Sequence, residues 1–391
     1  MTDPSIIRDR TAIAGIGTTE YVRDIGCSEL ETALDAIHMA LDEAGLAPRD
    51  VDAIFKVETP GEDSNSELEI ARNLGAGPLR CWGGFGYGGG AACAPVVHAA
   101  MAVATGMASV AVAVRARNRG SGGRPWAKTS ARVAGLYAFE APYGLVSPAQ
   151  QIALMARRYL HEFGATPEDF ARVAVLQREN ASRNPRAFFQ DPITVDDVLN
   201  SRLIADPLHL LDCSLETDGA CAVVVTSAER ARDLKQPAVL ISGVSQGMPA
   251  RHYMMNGLLY QDDPFDMPSK HAASDVYRSA GMGPEEIDVA QFYDVFSPMV
   301  LWQLEAYGFC KPGEAAGFVR EGKASWPDGD LPVNTHGGSL SEAYVHGFNH
   351  ILEGVRQVRA TSTCQVEGAN VALVAAAAVV PSSALILRSD R

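Results

Sequence analysis

Cysteine pairs are missing from this chain: its seven Cys are scattered singly and none forms a CxxC. That removes the usual frameworks for a disulfide scaffold or a structural zinc, and no metal is expected. Long apolar runs are missing too. The most apolar stretch, Ala369 to Val380, is short and rich in Val and Ala, which reads as a buried strand rather than a membrane helix. Met1 to Arg10 are polar and carry no apolar run, so a cytoplasmic protein that engages no membrane is expected. Positive charge is scarce: 33 Lys and Arg stand against 47 Asp and Glu, a net charge of −14. This balance argues against nucleic acid as a partner, while allowing a local basic pocket for an anionic coenzyme.

What is present is a repetition. At 391 residues and 47% hydrophobic content, the chain is long enough for two domain-sized halves around a large core. Ala44-Gly45-Leu46-Ala47-Pro48-Arg49-Asp50-Val51-Asp52-Ala53-Ile54 returns as Ala280-Gly281-Met282-Gly283-Pro284-Glu285-Glu286-Ile287-Asp288-Val289-Ala290. Each reads as a helix end, a turn and the start of a strand. Gly88-Gly89-Gly90 opens an apolar helix in the first half, and Gly337-Gly338 opens another in the second. A third echo sets Gly219 to Val225 against Gly368 to Val374. A duplicated α/β unit places its active site where the two Gly-opened helices meet.

The spacing predicts a strand over Ala12 to Gly17 and a helix from Ser28 to Gly45, with Ser28 and Glu31 as a capping box. Helices are also expected over Ala149 to Phe163 and Ser269 to Ala280, and strands near Val51, Cys221, Val239, Ala290 and Val371. Residues 1–236 form the first half, with an excursion over about 115–205, and 237–391 the second. Strands and helices alternating twice over imply a layered α/β architecture with largely parallel sheets. Gly84-Phe85-Gly86-Tyr87-Gly88-Gly89 fits a GxGxxG pattern, but no Asp or Glu follows at the distance that takes a ribose hydroxyl. The glycines allow a tight turn instead, and amides at a helix start can hold a carbonyl oxygen as it becomes an enolate.

Asn334-Thr335-His336-Gly337-Gly338-Ser339-Leu340-Ser341-Glu342-Ala343-Tyr344-Val345-His346-Gly347 resembles the Asn-x-x-Gly-Gly…Gly-His-Pro-x-Gly signature of the thiolase superfamily. Laid over it without gaps, the thiolase histidine falls at Tyr344, and counting back from Ala104-Thr105-Gly106, the helix end that thiolases share, puts their acyl-accepting cysteine at Gly89. Cys93 and Cys364 are the nearest sulfurs, and neither is in register. The whole chain is similar to the thiolase-like lipid-transfer proteins, most of all to bacterial aldolases that shorten steroid side chains. Tyr87 to Ala94, Leu210 to Cys213 with Glu216 to Ala220, Tyr293 to Phe296 with Gln303 to Glu305, and His336 to Gly347 carry that similarity.

The resemblance implies an α/β thiolase fold: two duplicated βαβαβαββ-type halves, layered αβαβα, with an inserted loop region in the first half. It further implies retro-aldol cleavage of a β-hydroxyacyl-CoA to a ketosteroid and propionyl-CoA. No cofactor is expected beyond the CoA carried by the substrate. A small partner protein with an OB-fold and zinc ribbon is implied, and a homodimer is expected from the sheet edge and central helix of such halves. An acyltransferase or Claisen-type enzyme, which needs a reactive thiol, and a non-catalytic acyl-CoA or sterol carrier are the alternatives.

A retro-aldol step needs a base for the β-hydroxyl, stabilisation of the enolate oxygen, and an acid for the α-carbon. Tyr344 is the first candidate for proton transfer, and its phenol needs a nearby positive charge or donors to act as a base near neutrality. Tyr293, at a strand end, is the second; the alternative for both is an aromatic packed in the core. Asp294 either orients a neighbour or caps the helix that Ser297-Pro298 begins. His336 and His346 flank the Tyr344 turn and could donate to the thioester oxygen. Tyr87, Gly88, Gly89, Gly90, Gly337, Gly338 and Tyr253 are the candidates for holding substrate.

Overall fold

The computed structural model describes residues 6–58, 65–122, 137–250, 252 and 255–390. In the first half the strands are β1 (Thr11–Thr18), β2 (Ala53–Val57), β3 (Cys81–Phe85), β4 (Val110–Asn118), the short ribbon β5 (Leu203–Ala205) and β6 (Leu208–His209), and β7 (Asp218–Ser227). The second half supplies β8 (Val239–Gly247), β9 (Val289–Phe292), β10 (Val371–Ala375) and β11 (Ser382–Ser389). Nine of them join in one sheet of order β3-β2-β4-β7-β1-β8-β11-β10-β9.

That order is a duplication written in hydrogen bonds. In the first half β1 pairs antiparallel with β7, β7 antiparallel with β4, and β4 parallel with β2. In the second, β8 pairs antiparallel with β11, β11 antiparallel with β10, and β10 parallel with β9. The place of β3 beside β2 is taken by a single parallel bridge from Ala290 to Val333. Two expectations are corrected here. The sheet is mixed rather than largely parallel, because in each half the last strand, β7 or β11, pairs antiparallel with both of its neighbours, which the apolar runs did not announce. The third sequence echo also misaligns: β10 occupies the place of β4, and β11 that of β7, so Gly368 to Val374 does not answer Gly219 to Val225.

Local chemistry sets the element ends. Ser28 accepts from the Glu31 amide while Glu31 bonds back to the Ser28 backbone, starting the helix Glu29–Ala44. Gly45 and Gly281 end the two equivalent helices, Glu29–Ala44 and Pro268–Ala280, in the left-handed region at φ 77° and 66°. Each is followed by a 3-10 turn beginning at a proline, Pro48–Asp50 and Pro284–Glu286, which turns the chain into β2 and β9.

The helices Ala94–Ala104 and Phe348–Val358 lie between the two halves of the sheet and touch strands of both. They are lined with Ala, Val, Ile and Leu side chains that share one buried cluster with β4, β7, β10 and β11. Each such side chain contributes roughly 1.5–3 kcal/mol when fully buried. The helices Glu29–Ala44 and Glu67–Leu74 cover the outer face of the first half, and Pro268–Ala280 with Pro298–Ala306 that of the second. The result is the αβαβα layering of the thiolase fold. The run Ala369 to Val380 is a strand only to Ala375; beyond it the chain leaves the sheet and forms part of a cavity wall.

Candidate active site

A cavity of about 700 Å³ opens where the parallel strands of both halves finish. Glu58 follows β2, Gly86 to Gly89 follow β3, Arg119 follows β4, Tyr293 follows β9 and Ala377 follows β10, and all of these line it. Carboxyl ends of parallel strands are where side chains and ligands collect in open α/β sheets. One end of the cavity is polar, with Tyr293, Tyr344, His346, Arg119, Glu216 and Glu58. The remaining wall is largely apolar: Pro148, Ile204, Leu210, Phe296, Met299 and Val380 among others.

Tyr293 and Tyr344 meet at that polar end, the Tyr293 hydroxyl donating to the Tyr344 hydroxyl at 3.3 Å. Both rings are buried, and the Tyr344 amide donates to Thr217 Oγ1 at 3.0 Å, which fixes the loop that carries it. Burial pushes both phenols above the usual tyrosine range, against the opposing pull of the Arg119 charge on each. A phenol acting as a free base near neutrality would have to be made more acidic by its neighbours; here desolvation wins, and both hydroxyls are protonated at neutral pH.

The glycine at the thiolase cysteine position has a steric cause. A Cβ on Gly89 would lie 2.5 Å from Tyr293 Cε1 and nearer still to Cζ. On the far side a Cβ on Gly347 would lie 2.6 Å from Tyr293 Cδ2. The phenol ring fills the space into which a cysteine at position 89 would project. Cys93 is buried away from the cavity with its thiol 3.7 Å from the Val374 carbonyl, and burial raises its pKa far beyond the thiol range. Cys364, pushed up to about 11 by burial, lies against the Asn180 carbonyl. Cys213 does stand on the cavity wall, and its thiol donates to the His209 carbonyl at 3.3 Å.

His346 lines the cavity beside Gly88, its ring perpendicular to that of Tyr344 with centroids 5.1 Å apart. Burial first, and then the charges of Arg115, Arg117 and Arg119, hold its pKa well below the usual histidine value. The imidazole is neutral at pH 7. Although His350 stands four residues on, it faces another group, bonding Asp294 Oδ1 at 2.9 Å.

Several expected residues lie elsewhere. Of the roles open to Asp294, it orients a histidine, His350, rather than a tyrosine, and it does not cap the helix Pro298–Ala306; its carboxylate also accepts from the Ser339 and Leu340 amides at 2.7 and 3.1 Å. Asp294 is not on the cavity wall, although its neighbours Tyr293 and Val295 both are. His336 is buried behind this network, 3.6 Å from Glu342, and burial lowers its pKa to about 3. Gly337 backs onto Ala181, Gly338 onto Asp294 and Gly90 onto Val380 and Pro381, so none of the three is on the wall. Tyr87, Gly88 and Gly89 are on it. Tyr253 lies outside the described residues.

The comparisons with known proteins agree with this geometry. The description "Thiolase C-terminal domain-like" matches residues 253–388. A "Steroid side-chain-cleaving aldolase" of Thermomonospora curvata is 47% identical over 395 residues, 99% of this chain and 100% of the relative. The chain belongs to this family of thiolase-fold aldolases. A "17-hydroxy-3-oxo-4-pregnene-20-carboxyl-CoA lyase" of Mycobacterium tuberculosis is 46% identical over 98% of this chain and 100% of its own length. A solved structure described as "Ltp2-ChsH2(DUF35) aldolase" superposes with a TM-score of 0.92 at 46% identity, covering 99% of this chain and 100% of that one. The enzyme is thus a carbon–carbon lyase built on a thiolase frame, and it departs from thiolases where the nucleophile would be.

Three charged residues on the enzyme's cavity wall, Glu58, Arg119 and Glu216, escaped the sequence reading. Arg119 and Glu216 face each other across 3.6 Å. A signal existed: Arg115, Arg117 and Arg119 alternate at the end of an otherwise apolar strand, which a buried strand tolerates only for partners or function. Among the described residues there is no cluster of side chains suited to a metal ion, and no helix is long and apolar enough to cross a membrane.

Proposed function

We propose that the enzyme cleaves a 17-hydroxy steroid CoA ester by a retro-aldol step, releasing a 17-ketosteroid and propionyl-CoA, with the Tyr293–Tyr344 pair moving the proton. The hydrogen-bonded phenols on the cavity wall carry this reading. The substrate hydroxyl gives up its proton, the Cα–Cβ bond breaks, and its electron pair enters the thioester as an enolate. A proton then returns to Cα. One proton leaves oxygen and one reaches carbon, so no water is consumed and the pair ends as it began. Both phenols start protonated, so the proton moves as a relay: the phenol that takes the hydroxyl's proton passes its own to its partner, and the partner's goes to Cα, with no free phenolate required. His346, neutral and beside the Tyr344 ring, is the donor to the enolate oxygen.

The apolar wall supports a ring-shaped hydrocarbon substrate, since about 700 Å³ lies in the range of small-molecule pockets. The name of the Mycobacterium tuberculosis relative supplies the 17-hydroxy and carboxyl-CoA groups, and that of the Thermomonospora curvata relative the steroid side chain. The second component named in the solved aldolase supports a small OB-fold and zinc-ribbon partner, and the edge strand β3, with Trp82 exposed, supports a homodimer. CoA arrives with the substrate and no further cofactor is proposed. The test supplies the purified chain, with and without that partner, with the 17-hydroxy steroid CoA ester. Ketone and propionyl-CoA in equal amounts are expected; intact ester in the presence of the partner rejects the substrate.

A further inference from the structure

Arg115 lies on β4, buried, and one of its terminal nitrogens stands 2.9 Å from His346 Nδ1. The other is committed to the Val57 carbonyl at 2.7 Å, which anchors the guanidinium to β2. A guanidinium carries donors and no acceptor, so Nδ1 is the accepting, unprotonated nitrogen. In a neutral imidazole the single hydrogen then sits on Nε2. His346 and Gly88 both line the cavity, and Nε2 is on the Gly88 side of the ring, 3.9 Å from where a Cβ on that glycine would lie. The groups around this ring are Arg115, Arg117 and Arg119 from β4 and its end, and Tyr344 from its own loop.

We infer that Arg115 is a positioning residue of the retro-aldol site, locking His346 into the tautomer whose Nε2–H stands ready for the enolate oxygen. This rests on the function proposed above. An unlocked imidazole divides its hydrogen between two nitrogens, and only one of those forms can donate into the cavity. A donor already aimed where charge will develop needs no rearrangement during the reaction. The same guanidinium disfavours a second proton on the ring, so the donor stays neutral and does not quench the enolate by giving its proton away. Arg115 touches neither substrate nor reacting atoms and works through His346 alone.

Ring nitrogen NMR on the full chain with its partner, labelled with 15N-histidine and assigned by loss of the His346 signals in H346Q, tests the lock directly. The expected spectrum is a protonated Nε2 and a bare Nδ1 from pH 5 to 8, and a mixed or inverted pair in R115M. A protonated Nδ1 in the parent enzyme, or an unchanged pair in R115M, overturns the inference. In turnover, R115M is expected to lower kcat about 10- to 100-fold with KM within about threefold, and to cost less than about threefold in an H346Q background. An equal loss in both backgrounds means that Arg115 serves the fold, and the inference fails. Should R115M not fold, R115K decides, since it keeps one donor: retention of the Nε2–H form with most of the rate supports the lock, and loss of that form with an unchanged rate rejects it. A parent enzyme with no retro-aldol turnover sinks the proposed function while the ring signals still judge Arg115.

Discussion

The two halves each carry a glycine turn after their outermost parallel strand position, and the two turns have come to do different work. After β3, Tyr87 to Gly89 face the cavity, and Gly89 leaves room for a phenol. After Val333, Gly337 and Gly338 face inward, toward Ala181 and the Asp294 carboxylate. The first turn is glycine because a cavity-facing ring needs the space. The second is glycine because a buried network does: His350 and the Ser339 and Leu340 amides all bond the Asp294 carboxylate there. Equivalent places in a duplicated fold therefore share backbone shape without sharing chemistry, and a glycine pair by itself does not say which copy holds the site.

The sharpest way to break this contrast is to remove the hydroxyl that only the first region uses. Tyr344→Phe is expected to lower retro-aldol turnover about 10³-fold, or about 4 kcal/mol of barrier, leaving the thermal midpoint within a few degrees. Tyr293→Phe should cost less, about 10- to 100-fold, because Tyr344 keeps its place on the wall. Steady-state release of propionyl-CoA measures both. Near-normal turnover of Tyr344→Phe would move the chemistry away from the tyrosine pair.

The steric half of the contrast is tested at Gly89. Gly89→Ala is expected to destabilise the fold by about 1–3 kcal/mol, since the ring it meets is backed by Gly347 and cannot slide away. In a Tyr293→Ala background the same change should cost far less, because the vacated ring space accepts the methyl. Urea unfolding of the four proteins gives the coupling. Additive losses would show that Gly89 is constrained by its backbone rather than by the phenol.

Much of the frame was legible because it is written locally. The capping box at Ser28 and Glu31, the left-handed Gly45 and Gly281, and the prolines that follow them are short-range signals, and each folded as read. The third echo failed because Ala and Val runs look alike whether a strand is the fourth or the last of its half. For the site, Tyr293 and Tyr344 were recognisable from their place in the motifs, and the structure joins them. Asp294 was legible as a group that could orient a histidine, but that the histidine is His350, 56 residues away, follows only from the fold. Arg115 was hidden for a further reason: its partner His346 is 231 residues away, and only the fold brings them together.

The smallest expected effect separates the two histidines, one in each setting. Both are buried and both have lowered pKa values, so the folded protein resists protonating them while the unfolded chain takes protons below about 6.5. Stability is unaffected by them above that value and falls as the pH drops, by about 1.4 kcal/mol per pH unit for each, until the folded value is reached; for His336 that is about 3. Between pH 7 and 5 the parent should therefore lose about 2 kcal/mol more than His336→Gln, read from urea unfolding at the two pH values. His346→Gln should flatten the same slope, with a loss of turnover at pH 7 that far exceeds that of His336→Gln, because only its ring reaches the cavity. Equal losses of turnover in the two variants would erase the distinction between a network histidine and a cavity histidine.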